Sequence, residues 1–264
     1  MKIGFIGAGN MGHAIMGGIL SKGLVSKEDV VAADLSEEIR KSVSDELGIK
    51  MTADNKEVAG AVDVLFLAVK PIYGEAVIND IKDVIKAETV VVSIMAGRNL
   101  AWLKERLGAD KKIVRTMPNT PALVLEAMTA ICPGENVSDS ELASVLEIFG
   151  SFGKASVVNE NTMDAVTAVS GSSPAYVFMF IEAMADAAVK EGMARKDAYT
   201  FAAQAVLGSA KMVLEMGKHP GELKDMVCSP AGTTIDAVKV LEEKGFRGAV
   251  MEAMHQCAEK SRTI

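Results

Sequence analysis

Apolar residues follow two rhythms along the chain. From Met1 to about Val158, short unbroken apolar runs alternate with stretches in which apolar positions recur every three or four residues. The runs predict strands at Lys2–Gly7, Val30–Ala33, Val62–Val69, Thr89–Ser93, Lys112–Thr116 and Ala155–Val158, the last at an edge. The stretches between them predict helices, the first over Gly12–Ser21. Ser36 is placed to cap one helix, and Ser138-Asp139-Ser140-Glu141 reads as a capping box opening another that runs to Phe149. The segment Val62–Val69, VDVLFLAV, carries apolar residues at both odd and even positions, as a strand covered on both faces requires. Strands alternating with helices predict right-handed βαβ units and a doubly wound parallel sheet.

After Val158 the period changes. No segment from Glu160 to Ile264 reads as a strand, and helices are expected over Thr162–Val169, Pro174–Glu191, Lys196–Met216, Pro220–Met226, Thr233–Glu243 and Gly248–Lys260. Pro174 suits a first helical turn, and Gly192, Gly217 and Gly245 fall where C-terminal caps belong. Lys196–Met216 is apolar around much of its circumference, so it needs partners on several sides. A helical half of this length is thin as an independent domain, so burial against a second copy is expected. The fold class is therefore α/β: a Rossmann-type domain over 1–158, then an all-helical dimerisation domain over 159–264.

Bulk properties narrow the function. Apolar residues make up 49% and charged residues 24%, normal for a globular protein. A net charge of −7 argues against nonspecific nucleic-acid binding. Cys132, Cys228 and Cys257 form no close pair, which suggests reduced thiols and a cytoplasmic location. The first apolar run is too short and too glycine-rich for a leader. Ala175–Val189 carries Glu182 and Asp186 and is too short to span a bilayer, so no membrane association is expected.

The chemistry is concentrated at the ends of the predicted strands. Gly7-Ala8-Gly9-Asn10-Met11-Gly12 stands between a strand and a helix, the context that makes this spacing a dinucleotide signal. There Gly7 permits a tight turn, Gly9 lets backbone approach a pyrophosphate, and Gly12 lets helix and strand pack closely. Asp34 ends the second strand. An acid there accepts hydrogen bonds from the adenosine ribose and favours NAD, or else serves only to cap the following helix. Ala68-Val69-Lys70-Pro71 and Ser93-Ile94-Met95-Ala96-Gly97 end two further strands and should border the same ligand. Met117-Pro118-Asn119-Thr120-Pro121 reads as a rigid loop at the same edge. Ser170-Gly171-Ser172-Ser173-Pro174-Ala175-Tyr176 and Ser229-Pro230-Ala231-Gly232-Thr233-Thr234 each read as loops of amides and hydroxyls opening a helix, able to hold an anion or simply to cap. No metal-ligand cluster and no Ser-His-Asp set is evident; Lys211 and Lys224 are the conceivable proton donors.

These segments, together with Arg115-Thr116 before the Met117 loop and Lys224-Asp225-Met226-Val227-Cys228 before Ser229, occur in an order that resembles pyrroline-5-carboxylate reductases along essentially the whole chain. The resemblance implies reduction of 1-pyrroline-5-carboxylate to L-proline by NADPH or NADH, the last step of proline synthesis. It implies an interleaved dimer and, in many members, a decamer of five dimers. By motif, cofactor falls to Ile6, Gly7, Ala8, Gly9, Asn10, Met11, Asp34, Leu35, Ser36, Asn55, Ala68, Val69, Lys70, Pro71, Ile94, Met95 and Ala96. Substrate falls to Glu160, Met226, Ser229, Gly232, Thr233 and Thr234, with Thr234 the catalytic threonine beside the ring nitrogen. Asp34 departs from the family pattern, where several members carry Ser or Thr and many prefer NADPH. Two rivals stay open: a hydroxyacid dehydrogenase using Lys211 as base, and a dinucleotide sensor whose helical half binds a partner.

Overall fold

The computed structural model describes residues 1–263. Its strands and helices follow in the order β1 (Ile3–Ile6), α1 (Asn10–Ser21), β2 (Val30–Ala33), α2 (Glu37–Leu47), β3 (Lys50–Thr52), α3 (Asn55–Ala59), β4 (Val64–Leu67), α4 (Gly74–Ile81), β5 (Val90–Ser93), α5 (Leu100–Leu107), β6 (Lys112–Met117), β7 (Ala127–Pro133), α6 (Asp139–Gly150) and β8 (Gly153–Val157). Helices alone follow: α7 (Met163–Val166), α8 (Ser173–Lys190), α9 (Arg195–Met216), α10 (Pro220–Val227), α11 (Thr233–Glu243) and α12 (Phe246–Arg262).

The strands form one sheet in the order β3-β2-β1-β4-β5-β6-β7-β8. Strand order reverses between β1 and β4, whose pairing sets Ile6 opposite Leu67, so their carboxyl ends frame the switch point of a doubly wound sheet. Period-2 alternation divides the apolar side chains between two cores. Ile3, Phe5, Val64, Phe66, Val90 and Val92 enter one, with Phe5 and Phe66 stacked at 4.6 Å between ring centroids. Ile6, Leu65, Leu67, Val91 and Ile113 enter the other.

Two strands escaped the sequence reading. The three residues of β3 include an exposed lysine, too few and too polar for a periodic signal. The other, β7, runs antiparallel to β6, so the sheet is mixed; β8 is parallel to β7 and forms the edge. A turn of 3₁₀ helix, Thr120–Val124, ends at Leu125 with φ 62° and sends the chain back. This short reversal replaces the long crossover that a parallel neighbour needs. The capping box is formed as expected: Ser138 accepts from the Glu141 amide while the Glu141 carboxylate accepts from the Ser138 amide.

Helical structure after Val157 starts irregularly. A 3₁₀ turn at Glu160–Thr162 leads into α7 and then a π-helical turn over Thr167–Gly171, where a single α-helix was expected. The Ser172 amide donates to Thr167 O at 2.8 Å and the Ser170 hydroxyl to Val166 O at 3.1 Å. The expected open nest before α8 is thus closed by its own backbone.

The chain divides into two compact units, Met1–Ser172 with Cys257–Ile264, and Ser173–Gln256. In the second unit the buried apolar residues among those described are only Ala185, Ala198, Ala202 and Leu223. Phe178, Met179, Phe201, Leu207 and Leu214 are exposed on α8 and α9. A helix pair with so small a core leaves most of its apolar surface uncovered, the condition expected of a subunit interface.

Candidate active site

The turn after β1 is built by three glycines with different duties. Gly7 lies at φ +95°, and a Cβ there would fall 2.6 Å from the Ala68 carbonyl oxygen. A Cβ at Gly12 would fall 2.6 Å from the Gly7 carbonyl oxygen. Both are therefore required by the internal packing of β1, β4 and α1. Gly9 is different: it is exposed, and a Cβ there would meet nothing within 4 Å. It is the N-cap of α1 and offers no side chain to the first-turn amides, which are left for a ligand. A position kept clear in this way fits a phosphate group closing on the backbone.

Two cavities meet there, sharing Gly9, Ala68, Val69 and Lys70. One, of about 670 Å³, runs over Ile6, Gly7, Ala33, Asp34, Leu35, Ser36, Ile39 and Asn55 to Tyr73, Ala76, Val77 and Asp80. The other, of about 480 Å³, runs over Asn10, Met11 and Ile94 to Met117, Pro118, Asn119 and Gly171. Two joined chambers either side of a phosphate cradle suit the two halves of a dinucleotide.

Four of the residues assigned to the cofactor line neither cavity. Ala8 donates its amide to Asp34 Oδ2 at 2.9 Å and so shapes the turn. Met95 is buried, and its sulfur would sit 2.7 Å from a Cβ at Gly74. The Pro71 carbonyl accepts from Arg98 at 3.4 Å, and Ala96 lies on the loop between these contacts. The stripe Tyr73, Ala76, Val77 and Asp80 was not anticipated. Its i, i+3, i+4, i+7 spacing directly after a strand end was the available signal. Asn119 is buried and binds both ways, its Nδ2 donating to Ser170 O at 3.1 Å and its Oδ1 accepting from the Met128 amide at 2.9 Å. The Met117–Pro121 loop is rigid because this amide ties it to β7 and to the π-helical turn.

Glu160 also lies in the first unit. Its Oε1 accepts from the Leu100 amide at 2.6 Å and from Arg115 Nη1 at 3.2 Å, so the carboxylate pins the start of α5 to β6. Arg115 is nearly fully buried while Glu160 is about one-third exposed. Removing the guanidinium leaves the Glu160 carboxylate with the Leu100 amide but without its counter-ion, and Arg115→Ala is expected to destabilise the fold by about 3 kcal/mol in a denaturant titration. The neighbouring Cys132 thiol is pushed above its ordinary pKa by burial and then by the Glu160 charge, against a smaller opposing effect of Arg115, and so stays protonated and unreactive.

The second unit carries the remaining residues. Between α10 and α11 the chain turns through Ser229, Pro230 and Ala231, the last at φ 55°. The Gly232 amide donates to Ser229 O at 3.0 Å, and a Cβ at Gly232 would fall 2.3 Å from Ser229 Oγ, so a larger residue there would displace the serine hydroxyl. Gly232 is the N-cap of α11 and supplies no side-chain cap. The amides of Thr233 and Thr234 consequently open the helix without a partner from the cap, at the positive end of its dipole. Met226 stands exposed on the preceding α10. The conceivable bases are both paired: Lys211 lies 3.6 Å from Glu215, and Lys224 is bonded to Asp225, which raises its pKa further from neutrality.

Comparison with known proteins decides the family. A family model described as pyrroline-5-carboxylate reductase dimerisation matches residues 160–264, and one described as NADP oxidoreductase coenzyme F420-dependent matches residues 2–97. The chain is 54% identical to the pyrroline-5-carboxylate reductase of Escherichia coli (strain K12), over 100% of this chain and 98% of that one. The chain belongs to the pyrroline-5-carboxylate reductase family. It is 49% identical to the Methanosarcina acetivorans member over 100% and 97% of the two chains. Its fold is similar to that of the Plasmodium falciparum pyrroline carboxylate reductase solved with NADP bound, with TM-score 0.92, 35% identity, and 100% and 97% coverage. Membership in the pyrroline-5-carboxylate reductase family also accounts for the bare helical surface of the second unit, which lies within the dimerisation match. No helix among the described residues is long and apolar enough to cross a membrane.

Proposed function

We infer that the chain reduces 1-pyrroline-5-carboxylate to L-proline with NADH or NADPH, the final step of proline biosynthesis. The observation that carries this reading is the open backbone cradle at Gly9, set between two joined cavities, in a chain 54% identical along its whole length to a pyrroline-5-carboxylate reductase. Residues 1–158 hold the dinucleotide and residues 159–264 hold substrate and partner.

A reduced nicotinamide, when bound, supplies a hydride to the imine carbon. The work left to the protein is modest and matches its residues. A cyclic imine takes up a proton readily, and the resulting iminium is already electrophilic; after hydride adds to carbon, the nitrogen keeps that proton as a secondary amine. No strong base is required, which agrees with two lysines committed to neighbouring carboxylates. The tasks are to bind, orient and exclude water. The first-turn amides of Thr233 and Thr234 hold the substrate carboxylate at the helix dipole, and the Thr234 hydroxyl orients the ring nitrogen. Ser229, Gly232 and Met226 shape this loop, and Glu160 steadies the start of α5. Gly9, Asn10 and Met11 receive the pyrophosphate, with Lys70 beside it.

Thr234→Ala is expected to lower kcat by about tenfold to a hundredfold, leave the cofactor Kd unchanged, and be rescued by Thr234→Ser. Unchanged kcat would remove the hydroxyl from the mechanism. The reading as a whole is tested by following reduced-cofactor absorbance on adding 1-pyrroline-5-carboxylate to the purified protein. Oxidation with stoichiometric proline supports it; no oxidation, in protein that binds cofactor, overturns it. The dimer is the functional unit in this reading, and five dimers form the decamer that the family resemblance implies, an assembly checked by light scattering. Three free cysteines support a cytoplasmic location.

A further inference from the structure

We propose that this chain is built to prefer NADH over NADPH, with Asp34 as the residue that sets the preference. The proposal rests on the dinucleotide reading above and goes beyond it by choosing between the two cofactors.

Asp34 stands at the carboxyl end of β2 and lines the larger cavity. What makes it decisive is that its carboxylate is fixed. Oδ2 accepts the Ala8 amide at 2.9 Å, and Oδ1 accepts the Ser36 amide at 2.9 Å. Its backbone is held as well, by the bond from its amide to Thr52 O at 3.2 Å. A free surface aspartate could swing into solvent when a phosphate arrives. This one could do so only by breaking two bonds from backbone amides, one of which, from Ala8, shapes the glycine turn itself. Each carboxylate oxygen can accept more than one hydrogen bond, so the ribose diol of NADH can donate to it where it stands.

The surrounding charges point the same way. The first turn of α2 adds Glu37 and Glu38, so the turn that a 2′-phosphate would enter carries three carboxylates. The nearest cation on that turn is Arg40, and its Nη1 is engaged by the carbonyl oxygens of Asp34 and Leu35 at 2.8 and 2.9 Å. Across the cavity, Lys56 is paired with Asp80 at 3.2 Å. The Ser36 hydroxyl oxygen accepts from the Ile39 amide as the cap of α2, and the proton it can still donate is neutral and offsets none of the carboxylate charge. Lys70 also lines this cavity, at the place shared with the smaller one beside Gly9, away from the β2–α2 turn. A dianionic 2′-phosphate at that turn therefore meets a fixed negative charge, whereas a ribose hydroxyl meets an acceptor.

The test is calorimetric titration of the purified protein with NADH and with NADPH, independent of turnover. The expected Kd for NADH is lower by on the order of tenfold or more. Asp34→Ser is expected to narrow or invert that ratio, chiefly by tightening NADPH. Asp34→Asn keeps the size and one amide acceptor while removing the charge, so it should narrow the ratio even if the serine variant folds poorly. Arg40→Ala is expected to leave the ratio unchanged. Equal or tighter binding of NADPH by the wild type would overturn the proposal. So would an unchanged ratio in both Asp34 variants, or a selective loss of NADPH binding in Arg40→Ala, which would make Arg40 a phosphate ligand. Binding of both cofactors without imine reduction would instead count against the reductase reading and leave the preference measurable.

Discussion

A charge placed on the exposed stripe of α9 is expected to break the dimer. Phe201, Ala205, Gly208 and Met212 follow the i, i+4, i+7, i+11 spacing of one helix face, and the side chains of Phe201, Ala205 and Met212 are exposed. Phe201 alone leaves 67% of its surface uncovered. A Cβ at Gly208 would meet nothing within 4 Å, so the stripe is open at that position as well. With four small or medium residues as its buried apolar set, the second unit cannot offset the conformational entropy of ordering its helices unaided. Covering such a stripe is what a second copy does, and in a two-fold interface each substitution appears twice. Ala205→Glu is the cleaner change, because the alanine makes no buried contact within the chain; Phe201→Asp adds the loss of a large apolar anchor. Each charge buried without a partner costs several kcal/mol. The double variant should raise the dimer dissociation constant by at least about a thousandfold, roughly 4 kcal/mol. Light scattering coupled to size exclusion should then find monomer or aggregate in place of dimer, with a lowered Tm. An unaltered dimer would move the interface to another face of the unit.

The second large effect separates two glycines of the same motif. Gly9→Ala is expected to leave the fold intact and to weaken cofactor binding by about a hundredfold. Its φ of −65° suits alanine, and the new methyl group meets nothing in the protein. The lost preference for glycine over alanine at an N-cap is offset by reduced freedom of the unfolded chain, so stability should change by less than about 1 kcal/mol. The methyl group instead occupies the space that the pyrophosphate needs. Gly7→Ala should do the opposite damage. It forces a non-glycine residue to φ +95° and drives a Cβ to 2.6 Å from Ala68 O, which should lower stability by about 3 kcal/mol or more. Thermal melts read beside calorimetric cofactor titrations distinguish the two. A Gly9→Ala protein that binds as tightly as the wild type would remove the cradle from the account.

The contrast shows where sequence reasoning reached and where it stopped. The spacing of Gly7, Gly9 and Gly12 named the element, because strand, turn and helix each impose a local requirement that glycine meets. It also divided their duties, two to packing and one to the pyrophosphate; what it could not show is the contact that enforces the duty of Gly7, with the Ala68 carbonyl just after β4. The unbroken apolar runs located β1, β2, β4, β5, β6 and β8, buried or paired strongly enough to dominate their windows. They missed β3, which is short and polar, and β7, whose direction is set by a reversal at Leu125 that only the folded chain reveals. Glu160 shows the same limit. Its assignment followed from resemblance alone, and its engagement by Arg115 and the Leu100 amide joins residues distant in sequence. The Tyr73–Asp80 stripe was missed although its spacing carried the signal.

Deuterium transfer reports directly on hydride addition to the imine. The reaction should be run with cofactor carrying deuterium at the transferring position of the nicotinamide, and the proline recovered for mass and magnetic-resonance analysis. Hydride transfer to the imine predicts one deuterium per proline, at ring carbon 5 and with a single stereochemistry. Proline without label, or no proline while the cofactor remains bound, would contradict the account.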